Sequence, residues 1–481
     1  MSHGKIIFGF VVLSGLNASG SSAPTFNSDI APILYRNCAT CHRSGQVAPF
    51  SLLTYSDAAK RARLIATVTA KRYMPPWKAE AGYGHFADER RLTDAQIEAI
   101  AEWAGNGAPE GDPQRKPTPP RFASGWQAGQ PDSIYAMKEP FSIPPDGRDV
   151  FQCFVIPLDF KSDHFVKTVE FHPGNPRVVH HALFFLDTSG EARRLDAATP
   201  EPGYSCFGGP GFQPTAGLLG GWAPGATPEP LPAGVTKTLD KGTDLVIQIH
   251  YHPSGKPETD QSSIGLTFGG APQKGLVGMT IGTRKIDLPP GAAREEVTDW
   301  ALVPEDVDLI GITPHAHLLC KEMKVDARLP DGKTEPLIWI KDWDFNWQGQ
   351  YRYAEPVRLP KGTRIEMRYV YDNSAANPHN PSNPPKRVTF GEQTTDEMAL
   401  LFLQAVVPSP ADTGRFRREF RLGRVDQFLT EGGQPVGLTR RLTSNLKDLS
   451  QRFDANHNGV LEPDERAALL QFLTLRINAQ K

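Results

Sequence analysis

Apolar positions recur at helical spacing in the first quarter of the chain and again at its end, and alternate with polar positions in between. From Ser28 to about Pro113 the apolar stripes are short and bounded by capping residues. Ser56 and Asp57 open a segment that sets Ala59, Ala62, Ala66 and Thr69 on one side. Thr93, followed three residues later by Gln96, is a capping box ahead of Ile97, Ile100, Ala101 and Ala104, and Gly105 ends the run. These spacings predict a small all-α unit. Between Ala108 and Pro120, five prolines with Gly111 and several charges cannot continue a helix and predict a stiff connector. Beyond it the period becomes two, as in Leu245-Val246-Ile247-Gln248-Ile249-His250-Tyr251 and Arg364-Ile365-Glu366-Met367-Arg368-Tyr369-Val370-Tyr371, with Pro330-Asp331-Gly332 as a turn. Many such runs separated by Gly and Pro predict β-sandwiches rather than a parallel sheet. The final segment, 411–481, reads as helical, most clearly from Leu442 onward. No internal repeat is visible.

Composition agrees with that picture and narrows the partners. A chain of 481 residues with 44 Gly, 44 Pro and 22% charged residues favours loop-rich β architecture over long bundles, and its length calls for several cores. The formal net charge of -2 and the lack of a long basic run exclude a polyanionic partner such as nucleic acid. Lys5, an apolar run from Ile6 to Leu16, and the small residues Ala18, Gly20 and Ala23 form the pattern of a signal peptide over residues 1–23. The expected location is therefore the periplasm or envelope of a bacterium. No later apolar stretch reaches the length of a membrane span, so no integral span is expected.

The five cysteines fall into groups. Cys38-Ala39-Thr40-Cys41-His42 is a c-type haem attachment motif: the two thiols add to the vinyl groups of one covalent haem and His42 binds its iron. Met74, in Arg72-Tyr73-Met74-Pro75-Pro76-Trp77, is the favoured sixth ligand, since a thioether opposite histidine raises the reduction potential. His85 is the rival, and a plain core methionine the simpler alternative. Cys153 and Cys206 can form a disulfide in an oxidising compartment. Cys320 is left over.

Histidine is clustered in the β region as His180-His181, His250-Tyr251-His252 and His315-Ala316-His317. Residues two apart on a strand share a face, so His315 and His317 can address one ion. His180 and His181 would point to opposite faces unless a bulge or different ring nitrogens brought them together. Any one group alone reads equally well as structural histidine; three together favour metal.

Over Phe151 to Val406 the chain resembles the copper type II, ascorbate-dependent monooxygenases, the family of dopamine beta-monooxygenase and peptidylglycine alpha-hydroxylating monooxygenase. Val178-Val179-His180-His181-Ala182-Leu183-Phe184-Phe185, Gly221-Trp222-Ala223-Pro224-Gly225, Gln248-Ile249-His250-Tyr251, Pro314-His315-Ala316-His317 and Thr395-Asp396-Glu397-Met398 carry the likeness, in the family's order. The resemblance implies two jelly-roll-like domains, each with one copper, across a solvent-filled cleft. It implies that His180, His181 and His250 bind an electron-transfer copper, that His315, His317 and Met398 bind the copper that activates oxygen, and that Cys153 pairs with Cys206. His252 is expected to be a neighbour rather than a ligand. The family's substrate-anchoring arginine is replaced by Thr313, and an asparagine and a tyrosine after the ligand methionine by Leu400 and Phe402, so a less polar substrate is expected.

Near the C-terminus, Asp454-Ala455-Asn456-His457-Asn458-Gly459-Val460-Leu461-Glu462-Pro463-Asp464-Glu465 meets the requirements of an EF-hand calcium loop. Asp454, Asn456, Asn458 and Glu465 supply side-chain oxygens, Val460 a carbonyl, and Gly459 the turn. Leu446, Leu449 and Phe453, then Leu469, Phe472 and Leu473, supply the apolar faces of its flanking helices.

The expected order is thus a signal peptide (1–23), a cytochrome c domain (24–113), a linker (114–121), two copper domains (122–285 and 286–410) and the helical segment with its single hand (411–481). The expected activity is copper-dependent monooxygenation with O2, with electrons from ascorbate or a redox protein relayed through the haem. A non-catalytic copper-haem electron carrier or copper-binding envelope protein is the alternative. One Cys-x-x-Cys-His motif is too few for a dihaem peroxidase.

Overall fold

The computed structural model describes residues 1, 23–207, 209–212, 214, 217–432, 435–436 and 440–479. The apolar run read as a signal peptide lies outside them. The chain divides into two compact units. The first comprises residues 1, 23–44, 48–75 and 92–120 among those described. Its helices are Ala31–Asn37, Tyr55–Ala59, Ala62–Ala70 and Asp94–Gly105, closed around Phe26, Leu34, Ile100 and Trp103. The capping box is present in both directions: the Thr93 hydroxyl accepts the Gln96 N–H, and the Gln96 side chain accepts the Thr93 N–H. The expected helix at Ser56 begins one residue earlier, because Thr54 caps it by accepting the Asp57 N–H.

The second unit holds residues 45–47, 76–91 and 121 onward, and it is mostly β-sheet with a few helices. The segment 76–91, expected with the N-terminal helices, joins strands here: Ala79 bridges Ile340 and Phe86 bridges Tyr353, and Phe86 enters the same core as Tyr351. Two sandwich-like pairs of antiparallel sheets follow. In the first, a five-stranded sheet places Tyr204–Ser205, Val150–Pro157, Asp244–Tyr251, Val179–Asp187 and Gly217–Trp222 side by side. It faces a four-stranded sheet of Ser133–Ala136, Ser263–Phe268, His164–His172 and Lys237–Leu239 across a core that includes Phe171, Phe184, Ile247 and Leu266. Alternation along Asp244–Tyr251 does not become one wet face, since every residue of that strand is buried. Leu245, Ile247, Ile249 and Tyr251 enter the core, while Val246 on the opposite face is covered by Tyr204 and the Cys153–Cys206 disulfide.

The second pair opposes the sheet Gly275–Gly282, Leu400–Val407, Val307–His315 and Tyr351–Leu359 to the sheet Glu295–Leu302, Arg364–Tyr371, Cys320–Arg328 and Thr334–Ile340. Strand Gly275–Gly282 pairs with Leu400–Val407 along its whole length, so the second sandwich begins before residue 286. The turn at Pro330-Asp331-Gly332 closes a hairpin, with the Gly332 N–H donated to the Leu329 carbonyl. Helix Asp412–Glu431 packs on this sandwich through Phe416 and through Arg424, which pairs with the buried Asp299. Helices Arg440–Phe453 and Pro463–Ala479 form the C-terminal pair, with Leu446 and Leu469 buried and the Phe453 and Phe472 rings 5.5 Å apart. Among the described residues no helix is long and apolar enough to cross a membrane.

Candidate metal centres

The first histidine set is assembled by an irregular register. Strand Val179–Asp187 pairs with Asp244–Tyr251 so that Val179 faces Tyr251 and His181 faces His250, leaving His180 as an extra residue. That bulge turns the His180 ring toward the face that His181 uses, which regular alternation forbids. The Nδ1 atoms of His180 and His250 each lie 3.3 Å from the Nδ1 of His181. Two imidazole nitrogens bound at about 2.0–2.1 Å to one ion at near-tetrahedral angles stand about 3.3 Å apart. Among the described residues this trio is the one group of three or more His, Cys, Asp or Glu whose ligand atoms all lie within 4.8 Å of one another.

A carboxylate behind the trio fixes the tautomer of one member. Asp149 receives the Nε2–H of His250 at 2.8 Å and approaches Nδ1 of His252 at 2.8 Å. With its proton held on Nε2, His250 presents the lone pair of Nδ1 to the centre of the trio. Phe151 stacks on the same ring, 4.2 Å between centroids and 11° between planes. Burial pushes the Asp149 carboxyl up, but the hydrogen bonds from His250 and His252 and their charges outweigh it and hold it down at about 2. Burial, then the neighbouring His250, brings His180 down to about 4, and the same two causes take His181 well below the usual histidine range. Near neutral pH both rings are unprotonated, as metal ligands must be. His252 stays exposed beyond Asp149.

The second set lies at the end of strand Val307–His315. His315 pairs with Leu400 on the antiparallel neighbour, and just beyond that pair the N–H groups of His317 and Met398 both point at Glu397 Oε1. The His317 N–H is donated to Glu397 Oε1 at 2.6 Å, its Nδ1 faces the Asp396 carbonyl at 3.2 Å, and the Met398 carbonyl accepts the Tyr371 hydroxyl at 2.6 Å. Nδ1 of His315 meets Gln348 Oε1 at 2.6 Å. Both rings thus have Nδ1 occupied as a donor and keep the Nε2 lone pair, and their centroids are 5.4 Å apart. Burial, then His317, lowers His315 to about 4, and burial lowers His317. Glu397 is fully buried, and burial raises its carboxyl well above the usual range. Thr313 pairs with Phe402 on the sheet face shared by His315 and Leu400, and Phe402 is 40% exposed there.

In the first unit, Cys38 terminates helix Ala31–Asn37 and its carbonyl accepts the His42 N–H at 2.9 Å. Nδ1 of His42 faces the Phe50 carbonyl at 3.1 Å, which leaves Nε2 open, and the two rings pack at 4.7 Å. Burial, then Cys41, pushes the Cys38 thiol up to about 12. Met74 belongs to this unit, its N–H donated to the Val68 carbonyl; His85 belongs to the other, where its carbonyl accepts the Ala354 N–H.

The C-terminal loop has the internal bonding of a cation loop. Asp454 accepts N–H groups from Asn458 and Gly459, Asn456 from Asn458, and Asn458 from Val460. Gly459 adopts φ 84°, the left-handed conformation that its position in the loop requires. Glu465 accepts the N–H groups of Ala455 and Glu462.

No family profile matches the chain, and no curated protein matches it. Among solved structures, the major capsid protein P2 from bacteriophage PM2 is similar at 10% identity, with a TM-score of 0.24, over 54% of this chain and 97% of that one. The VP2 subviral particle of infectious bursal disease virus is similar at 10% identity, with a TM-score of 0.17, over 59% of this chain and 74% of that one. Likenesses this distant carry no statement about fold or function.

Several residues of these centres escaped the sequence reading. Asp149 has a signal only once strand pairing is known, because Val150 faces Tyr251 and Asp149 therefore reaches His252. Glu397 lies between Asp396 and Met398, where nothing in the sequence marks it as the acceptor of the His317 N–H. Gln348 and Phe345 come from a loop far from both histidine pairs in sequence, and Glu462, which receives the Asn456 and Asn458 amides, is the ninth residue of its loop.

Proposed function

We propose that the chain is an exported two-copper monooxygenase that inserts one atom of O2 into a C–H bond of a weakly polar substrate. The bulge at His180, which gathers three imidazole nitrogens at ligand spacing with Asp149 behind them, is the observation that carries this reading. His180, His181 and His250 would hold one copper through Nδ1. His315 and His317 would hold the other through Nε2, with Met398, whose soft thioether favours Cu(I). Copper at these places supplies one-electron redox chemistry and the activation of O2. Asp149 keeps the proton on His250 Nε2, and Gln348 and the Asp396 carbonyl keep protons on Nδ1 of His315 and His317. Each ring is thereby oriented before any ligand arrives.

Thr313, Leu400 and Phe402 give the face beside His315 no charge with which to anchor a carboxylate, which suits a weakly polar substrate. In the first unit, Cys38 and Cys41 would attach haem c and His42 would bind its iron through Nε2, with Met74 as the further ligand. The haem supplies a single-electron relay from an external donor, ascorbate or a redox protein. Asp454, Asn456, Asn458, Glu465 and the Val460 carbonyl would hold one calcium ion. The Cys153–Cys206 disulfide is compatible with export to a periplasm or envelope.

Metal and haem analysis of copper-replete protein tests the proposal: two coppers per haem are expected. Substrate-dependent O2 uptake over a panel of candidates should follow and be lost in Met398→Ala. Absence of copper ends the reading, and two coppers without substrate-dependent uptake leave a copper-haem electron carrier.

A further inference from the structure

One loop of the second sandwich, residues 341–350 between strands Thr334–Ile340 and Tyr351–Leu359, touches both histidine sets. It is tied down twice on its own side. The buried Trp343 donates its indole N–H to the His317 carbonyl at 3.0 Å, and Gln348 meets His315 Nδ1 at 2.6 Å. Between those ties, the Phe345 ring lies edge to face against His317, with centroids 5.9 Å apart and planes at 88°. It also lies nearly parallel to His180, a residue of the other sandwich, at 6.4 Å and 22°. Both imidazoles are thus within 6.4 Å of the same aromatic centroid.

Resting on the two-site reading above, we propose that Phe345 is a positioning residue that fixes the two histidine sets relative to one another by packing on His180 and His317 at once. Tilted and stacked aromatic contacts are directional as well as apolar, so one ring seated against two imidazoles fixes distance and angle together. Trp343 and Gln348 serve the same end by fixing the two sides of the loop. A small cleft lined by Leu318, Trp343, Asp344, Phe345, Asn346 and His379 opens beside the ring. Phe345→Tyr keeps the aromatic ring and is the conservative replacement.

The full-length protein is compared as wild type, Phe345→Ala and Phe345→Tyr. In metal-free protein, hydrogen–deuterium exchange over 178–182 and 341–350 is expected to rise about tenfold in Phe345→Ala and to stay at the wild-type level in Phe345→Tyr, with both sandwich cores unchanged. Unchanged exchange over 178–182 in Phe345→Ala overturns the proposal. In fully oxidised, copper-loaded protein, the Cu(II) EPR spectrum is expected to be shared by wild type and Phe345→Tyr and to change in Phe345→Ala at full copper content. Superposable spectra overturn it as well. Failure to load two coppers refutes the functional reading alone, and the metal-free comparison then decides the role of Phe345.

Discussion

Removing the carboxylate of Asp149 is the sharpest test of the first centre. Two imidazoles depend on that one side chain, and His250 is only 3% exposed, so water cannot readily replace it. In Asp149→Ala the Nε2–H of His250 is left buried without its acceptor, at a cost of ~1–3 kcal/mol. The ring also loses the partner that keeps its proton off Nδ1, the atom facing His181 at 3.3 Å. Loss of such an outer partner weakens metal binding by about 10–100-fold, which corresponds to ~1.4–2.7 kcal/mol. Titration of Cu(I) against a competing chelator should show that loss at the His180, His181 and His250 site. Affinity at the His315, His317 and Met398 site should be unchanged, because the hydrogen bonds of Asp149 go to the first set. Asp149→Asn retains one acceptor oxygen and should fall between the two. Wild-type affinity in a natively folded Asp149→Ala protein would refute the assigned role.

Three further outcomes follow from the same geometry. His180 and His315 are depressed to about 4 in the folded state, so the unfolded chain takes up these protons first as pH falls through about 6.5. Metal-free stability in denaturant should therefore be level near pH 7 to 8 and decline from pH 6.5 toward 4, whereas Asp149, held at about 2, keeps its contribution until the pH drops below its ordinary range; a flat profile between pH 7 and 5 would contradict the burial argument. Replacing Cys153 and Cys206 together by Ala removes a bridge spanning 53 residues and should destabilise the protein by ~2–5 kcal/mol in urea unfolding. Added calcium should raise the melting temperature of the wild type but not of Asp454→Ala, whose loop has lost the carboxylate that accepts the Asn458 and Gly459 N–H groups.

Local features were largely legible because short-range chemistry determines them. The Thr93 capping box, the hairpin turn at Gly332 and the apolar faces around Leu446 and Leu469 each depend on residues within a turn or two. Boundaries were less legible, since they depend on partners distant in the chain. Segment 76–91 follows the first helices in sequence but finds its bridges at Ile340 and Tyr353, and strand Gly275–Gly282 pairs more than a hundred residues ahead. The His250 strand could not be recognised as buried on both faces, because its second cover comes from Tyr204 and a disulfide elsewhere in the chain.

What the sequence determined by itself was the inventory: which histidines, cysteines and oxygen-bearing side chains are grouped at spacings suited to a metal or haem, and on which kind of local element each would sit. A period of two allows His315 and His317 to share a face, and it sets His180 and His181 on opposite ones. Only the tertiary structure decided that one extra residue against Tyr251 and His250 cancels that separation, because a bulge exists only relative to the strand it is paired with. Asp149 and Phe345 carry no signal of their own for the same reason: a carboxylate becomes a tautomer lock, and a ring becomes a spacer, only when the fold brings imidazoles to it.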